Sequence, residues 1–325
     1  MPGTTLSRRQ LMAASVSIAV QPLLPMFVSV AAPLAYNLKP TKLTDGAWMI
    51  AGLPEVITLE NGGAIANITI LDSKDGAIII DTGPSRRYGE ELAVLAKELT
   101  GKGVAKVYLT HFHPDHVFGN QGFDAAKIAA PAGVIEGLTQ MGNSFSDAMY
   151  YIARDWMRGT DLVLPQTIAK TGVDDIGGRR LQVLELAGHT GSDLAIFDET
   201  TGLLISGDLV FLDRAPTTPH ANLAVWRETL NKLEQMPFSK LVPGHGPAES
   251  GKRGVLQTRD WLNAIAENIT ASFEKGLDMT EAMQEPLPPS LEKIALARYE
   301  FGRSVMHLYP KLEAARLPAV GQKAK

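Results

Sequence analysis

The sequence predicts an α+β fold in which two mixed β-sheets pack face to face and carry helices on their outer surfaces. Three observations predict it. Short strand-like runs recur in both halves of the 325-residue chain, and helical patterns separate them. No linker is rich enough in Gly, Pro or Ser to split residues 40–315 into independent domains. Paired sheets with helices outside are the layered arrangement that such an order favours.

The elements follow in order. Ala47–Ile50, Ala64–Leu71 and Ala77–Asp81 read as strands, with the turn dipeptide Asp75-Gly76 between the last two. Pro84 precedes a helical pattern over Arg86–Leu99, with Leu92, Leu95 and Leu99 on one face, and Gly101 and Gly103 stop it. Val104–Thr110 reads as a buried strand. Further strands are expected at Lys127–Ala130, Arg180–Leu186, Leu194–Phe197, Leu203–Ser206 and Lys240–Val242. Helical patterns cover Gly133–Gly159, Leu223–Gln235 and Gly254–Glu274, and Thr280–Ala315 reads as one or two more helices.

Composition narrows the chemistry. Apolar residues make up 45% of the chain and charged residues 20%, ordinary for a globular protein with a real core. The formal charge is −4 and no Lys/Arg cluster stands out, so nucleic acid is not an expected partner. There is no cysteine. That excludes disulfide scaffolds, thiol nucleophiles, iron–sulfur clusters and thiolate zinc sites, so any metal must be held by nitrogen and oxygen.

The N-terminus reads as an address rather than a structural element. Arg8 and Arg9 precede an apolar stretch over Leu11–Ala31, which closes on the small-residue signal Ser29-Val30-Ala31. That is the order of an export signal, and the paired arginines favour the twin-arginine route. Pro22 and Pro25 inside the run argue against a stable membrane span. Residues 1–31 are therefore expected to be a signal. The mature protein is expected to be periplasmic, with no membrane span left after signal removal.

The chemistry concentrates in Thr110-His111-Phe112-His113-Pro114-Asp115-His116, where three of the seven histidines fall within six positions. In an extended strand end His111 and His113 point to the same side, so both imidazoles can meet one cation. Pro114 turns the chain, and Asp115 and His116 reach a neighbouring position. Imidazole and carboxylate suit Zn²⁺, although iron and manganese accept the same donors. Three more strand ends deliver residues of the same type: His189 after Arg180–Leu186, Asp208 after Leu203–Ser206, and His245 after Lys240–Val242. Glycine lies beside each, which lets backbone crowd close to a site.

Together Asp81-Thr82-Gly83, His111-x-His113-x-Asp115-His116, Gly188-His189-Thr190, Gly207-Asp208 and Gly244-His245-Gly246 resemble the five ordered signatures of the metallo-β-lactamase superfamily. The resemblance implies an αββα sandwich over 40–315, C-terminal helices included, with the site at one edge between the sheets. It implies two zinc ions, the first on His111, His113 and His189, the second on Asp115, His116 and His245, with Asp208 bridging both. Asp81 matches the family's aspartate that orients a ligand. The implied reaction is hydrolysis of a small-molecule ester, thioester, lactone or similar bond by a hydroxide held between the ions, with Asp115 relaying the proton. A β-lactam is a second substrate class, although a bridging aspartate is typical of the glyoxalase II-like and lactonase-like branches. Iron-dependent sulfur or oxygen chemistry and a non-catalytic accessory role are the remaining alternatives. The segment His113–Asn120 and the leader also resemble the exported quinoprotein relay system zinc metallohydrolases, which implies a periplasmic quinoprotein dehydrogenase system as partner.

Substrate contacts are less sharply marked. Phe112 is either a pocket wall or simple packing. Arg214 could pair with an anionic substrate group, although a solvated surface arginine is the simpler expectation. Met141–Thr160, with Phe145, Tyr150, Tyr151 and Trp156, reads as a cleft cover or as core contacts. His220 is a pocket candidate or a helix-entry residue, and His307 is expected to be structural.

Overall fold

The computed structural model describes residues 34–317; the expected export signal lies outside the described residues. Among the described residues, those from Ala35 onward form one unit. Its first sheet has seven strands in chain order: β1 (Pro40–Thr44), β2 (Ala47–Ile50), β3 (Ile68–Ser73), β4 (Gly76–Ile80), β5 (Val104–Tyr108), β6 (Ile128–Ala130) and β7 (Thr167–Ile168). The first four are antiparallel neighbours. The β4–β5, β5–β6 and β6–β7 pairs are parallel. Parallel strands need crossovers, and α1 (Arg86–Thr100), a short α2 (Pro114–Val117) and α3 (Ala132–Ala153) lie in those connections.

The second sheet runs β12-β11-β10-β9-β8. Strands β8 (Gly172–Ile176), β9 (Arg179–Leu186), β10 (Asp193–Asp198) and β11 (Leu203–Ile205) form an antiparallel meander. Helix α4 (Leu223–Gln235) then leads to β12 (Lys240–Val242), parallel to β11. Four helices follow: α5 (Arg253–Glu274), α6 (Met279–Ala282), α7 (Pro289–Glu292) and α8 (Ala297–Arg316).

The layering follows from side-chain alternation. All five residues of β4 are buried. Ile78 and Ile80 pack in the intersheet core with Leu181, Val183, Leu194, Ile196 and Val242, whereas Ala77 and Ile79 face Tyr88 and Leu92 of α1. In β10, Leu194 and Ile196 face the other sheet while Ala195 and Phe197 pack among Trp226, Leu230 and Trp261 of α4 and α5. A strand covered on both faces needs a continuous apolar run. Each fully buried isoleucine there contributes about 1.5–3 kcal/mol.

Most expected elements fall where the sequence puts them, with three differences. Strand β3 starts only at Ile68, because the preceding residues turn through the left-handed glycines Gly62 and Gly63. The pattern over Gly133–Gly159 is a helix to Ala153 followed by a 3-10 turn, and the C-terminal region holds three helices rather than one or two. Strands β1, β7 and β8 carry no expectation. They are the outer strands of the two sheets, and partly exposed residues on them blur the apolar pattern.

Candidate metal centre

The C-terminal ends of β4, β5, β9, β11 and β12 all open onto one edge of the sandwich. There they deliver Asp81, His111 and His113, His189, Asp208 and His245, while Asp115 and His116 sit on α2. Pro114 begins this helix at its first position, with His113 as the N-cap. The turn therefore swings Asp115 and His116 away from His111 and His113 rather than continuing the strand. All eight side chains are buried.

Seven of them form two groups. His111, His113, His189 and Asp208 bring one donor atom each to within 4.8 Å of one another, and so do Asp115, His116 and His245. Within the first group His113 Nδ1 lies 3.0 Å from His111 Nε2 and 2.9 Å from His189 Nε2. Three ring nitrogens converging on one point cannot all be satisfied by hydrogen bonds, since each neutral imidazole carries a single N–H. A cation satisfies them together.

Asp208 faces both groups. Its Oδ2 lies 3.3 Å from His189 Nε2 and 3.7 Å from His111 Nε2. Its Oδ1 lies 3.2 Å from His116 Nε2 and 3.4 Å from His245 Nε2. Asp115 Oδ2 is 3.4 Å from His245 Nε2 and 3.6 Å from His116 Nε2. Asp208 Oδ1 and His116 Nε2 are buried without a hydrogen-bond partner. Buried polar atoms are normally paired, so these two mark the place where a second cation fits. The donor set of imidazole and carboxylate suits a divalent transition metal.

The rings are held from behind. His116 Nδ1 donates to Asp81 Oδ2 at 2.7 Å, and Asp81 is itself fixed by the backbone N–H and hydroxyl of Thr110 at 2.7 and 2.8 Å. Thr110 Oγ1 also lies 3.0 Å from His111 Nδ1, and His245 Nδ1 donates to the Ile65 carbonyl at 2.8 Å. His113 Nε2 is 2.8 Å from His220 Nδ1. His189 Nδ1 has no such partner, and its ring packs edge-on against Trp226. The His245 loop is clamped by Asn67, whose side-chain amide donates to the Pro243 and Gly246 carbonyls. Gly244 is required there, because a Cβ would lie 2.0 Å from Asp208 Oδ1.

Electrostatics separate the histidines. Burial pushes His111 and His113 well below the ordinary histidine range and His189 down to about 4, which keeps these rings neutral. Burial also opposes charge on His116, but Asp208, Asp115 and Asp81 outweigh it and hold its pKa well above the ordinary value. For Asp208 burial is likewise overridden, here chiefly by His245 and His116, which hold the carboxyl well below the ordinary range.

A cavity of about 440 Å³ opens over Asp115, Asp208, His113 and His245. Phe145 and Ile152 of α3 line it, together with Val56, Ile57 and Pro219. So part of the Met141–Thr160 segment walls the cleft, whereas Trp156 is a packing residue that donates to the Leu59 carbonyl and Tyr151 is exposed. Phe112 packs in the core beneath α3 and does not line the cavity. His220 is a pocket residue as well as the partner of His113. Two expectations are corrected. Arg214 is buried, not a solvated surface residue, and His307 faces the cavity rather than serving only α8. Sequence reasoning passed over Thr110, Asn67, Glu300 and Arg303. Only Thr110, beside His111, carried a signal that could have found it.

A face-to-face sandwich with two facing donor groups at one edge defines a class of binuclear metalloprotein folds. The family model described as the metallo-beta-lactamase superfamily matches residues 61–245, and the chain belongs to that superfamily. Among curated proteins it is similar to a linear primary-alkylsulfatase from Pseudomonas sp. (strain ATCC 19151), 23% identical over 73% of this chain and 53% of the relative. The chain thus spans about half the length of that protein. It is also 25% identical to the Homo sapiens acyl-coenzyme A thioesterase MBLAC2, over 56% of this chain and 74% of the relative. Among solved structures, a beta-lactamase domain protein from Burkholderia ambifaria superposes with a TM-score of 0.60 at 23% identity, over 89% of this chain and 92% of that one.

Proposed function

We propose that the chain is an exported binuclear zinc hydrolase that cleaves an ester, thioester or related bond of a small molecule. The observation that carries the reading is Asp208, whose two carboxylate oxygens face two separate donor groups. His111, His113 and His189 would hold one cation, Asp115, His116 and His245 the other, and Asp208 both. Two such cations, when bound, supply Lewis-acid chemistry and make water nucleophilic near neutral pH. The chain's own residues do the rest. Asp81, Thr110 and the Ile65 carbonyl fix the ring orientations, as outer partners of ligating histidines do. Asp115 lines the cavity and would take the proton of the attacking water. The apolar walls around Ile57, Phe145 and Ile152 limit water at the reacting bond.

The alkylsulfatase and thioesterase relatives support an ester-type substrate. Zinc is carried over from the family resemblance, and the nitrogen and oxygen donors accept it as they accept iron or manganese. Export by the twin-arginine route rests on Arg8, Arg9 and the apolar run after them, and a quinoprotein dehydrogenase partner rests on the segment His113–Asn120 with that leader. Among the described residues no helix is long and apolar enough to cross a membrane. The test is a panel of thioester, lactone, alkyl sulfate and β-lactam substrates given to zinc-loaded protein. Turnover of a thioester, lactone or sulfate ester, lost on chelation and restored by zinc, is expected. Turnover that persists without metal overturns the reading. Fractionation of cells carrying Arg8→Lys with Arg9→Lys tests export, with retention in the cytoplasm expected.

A further inference from the structure

The cavity over the candidate metal centre has a second polar wall. Arg214 follows Asp208 by six residues, and its backbone is pinned: Ala215 N donates to the Ala295 carbonyl and Ala295 N to the Asp213 carbonyl. Its side chain lines the cavity and is only 4% exposed. A guanidinium carries five N–H donors in a rigid fork, and a buried one normally spends them on short, charge-assisted bonds. Arg214 does not. Its contacts are the Ala215 and Glu55 carbonyls, each at 3.4 Å, Glu300 Oε1 at 3.8 Å, and the face of Phe211. Its Nε has no partner.

Glu300 cannot complete the set. It is engaged by Arg303, whose Nη1 lies 3.0 and 3.2 Å from its two oxygens, and Arg303 also donates to Thr217 Oγ1. Two guanidinium groups therefore share one carboxylate, which leaves one unmatched positive charge on this wall. Burying a cation without a full partner is costly. An anion entering the cavity would supply the missing partner. Glu300, Arg303 and His307 sit on α8, beyond the residues matched by the family model, so this wall is built from the chain's own C-terminal helix.

We propose that Arg214, backed by Arg303, receives an oxyanion on the substrate, and that the protein acts on anionic esters or thioesters. The proposal rests on the hydrolase reading for its second half only; anion binding needs no turnover. The group recognised is a planar or tetrahedral oxyanion, either carboxylate, sulfate or phosphate, and a binding series separates them. Calorimetry on metal-loaded protein compares hexanoate, hexyl sulfate and hexyl phosphate with neutral hexanol. At least one anion is expected to bind about 10- to 100-fold more tightly than hexanol, as a charged hydrogen bond implies. The tightest of them names the group. Arg214→Met is expected to cut that preference at least about tenfold. Arg214→Lys keeps the charge without the fork and should keep only part of it. If Arg214→Met does not fold, Arg214→Lys and Arg303→Met carry the comparison.

Kinetics then compare the p-nitrophenyl monoester of glutaric acid with its methyl-capped neutral counterpart. The ratio of their kcat/KM values should favour the acid in wild type and move toward one in the Arg214 variants. An anion preference absent in wild type, or retained in full by every variant, overturns the proposal. Absence of turnover on both esters with the calorimetric preference intact would instead count against the hydrolase reading alone.

Discussion

The β9–β10 hairpin carries a buried polar cluster at each end, and the two differ in what completes them. At the Arg179 end, Arg179 Nη2 meets Asp198 Oδ2 at 2.5 Å, and Nη1 donates to the Gly46 and Asp72 carbonyls. Thr201 adds its hydroxyl to the same carboxylate. Cation and anion are matched within the chain. At the other end, His189 joins a cluster in which ring nitrogens face one another and Asp208 Oδ1 has no partner. The first cluster has its charges balanced by the protein, with Arg179 Nε alone left without a partner. The second is completed only by something the protein binds. Neither burial nor a single unpartnered donor distinguishes a structural knot from a functional site; several ring nitrogens and a carboxylate converging on one point do.

The comparison breaks first at Asp208. Asp208→Ala should lower hydrolysis of any turned-over substrate by about a thousandfold, the scale of losing a metal-dependent step, as measured by initial rates. Asp81→Ala should weaken metal affinity by about 10- to 100-fold, because His116 loses its orienting partner; a chelator competition titration reads it. At the far end, Asp198→Ala should cost about 3–5 kcal/mol by leaving Arg179 buried and unmatched, while metal content stays as in wild type. Chemical denaturation and metal analysis check the pair of outcomes. The smallest effect is expected at Arg180→Ala on the same hairpin. Its pairing with Glu199 is solvent-exposed, so the stability change should stay within about 1 kcal/mol.

Proton linkage sharpens the same contrast. In metal-free protein the carboxylates around His116 raise its pKa, so the folded state favours its charged form. That contribution is fully present below the unfolded value and is lost as pH rises through the folded one. A metal must displace this proton. Calorimetry in buffers of different ionisation enthalpy should therefore show proton release on loading at neutral pH, and no release would contradict the assignment of His116.

The seven clustered side chains were legible in the sequence because each follows a strand and the motifs keep a fixed order. Helix α4 and strand β12 were legible to the residue, since a 3.6-residue period and a short apolar run survive without context. What was not legible depends on distant packing. Arg214 looks like any arginine in a loop until α8 folds over it and buries it. Asn67 acts on a loop 176 residues away, a distance no local pattern encodes. Strands β1, β7 and β8 flank the sheets, so partly exposed residues interrupt the alternation that reveals a strand.

The most direct measurement is a crystal structure of metal-loaded protein with anomalous scattering recorded at the metal edge. The account predicts two peaks about 3.5–4 Å apart, one against His111, His113 and His189, the other against Asp115, His116 and His245, with Asp208 touching both. A single peak, or none at that sheet edge, would contradict it.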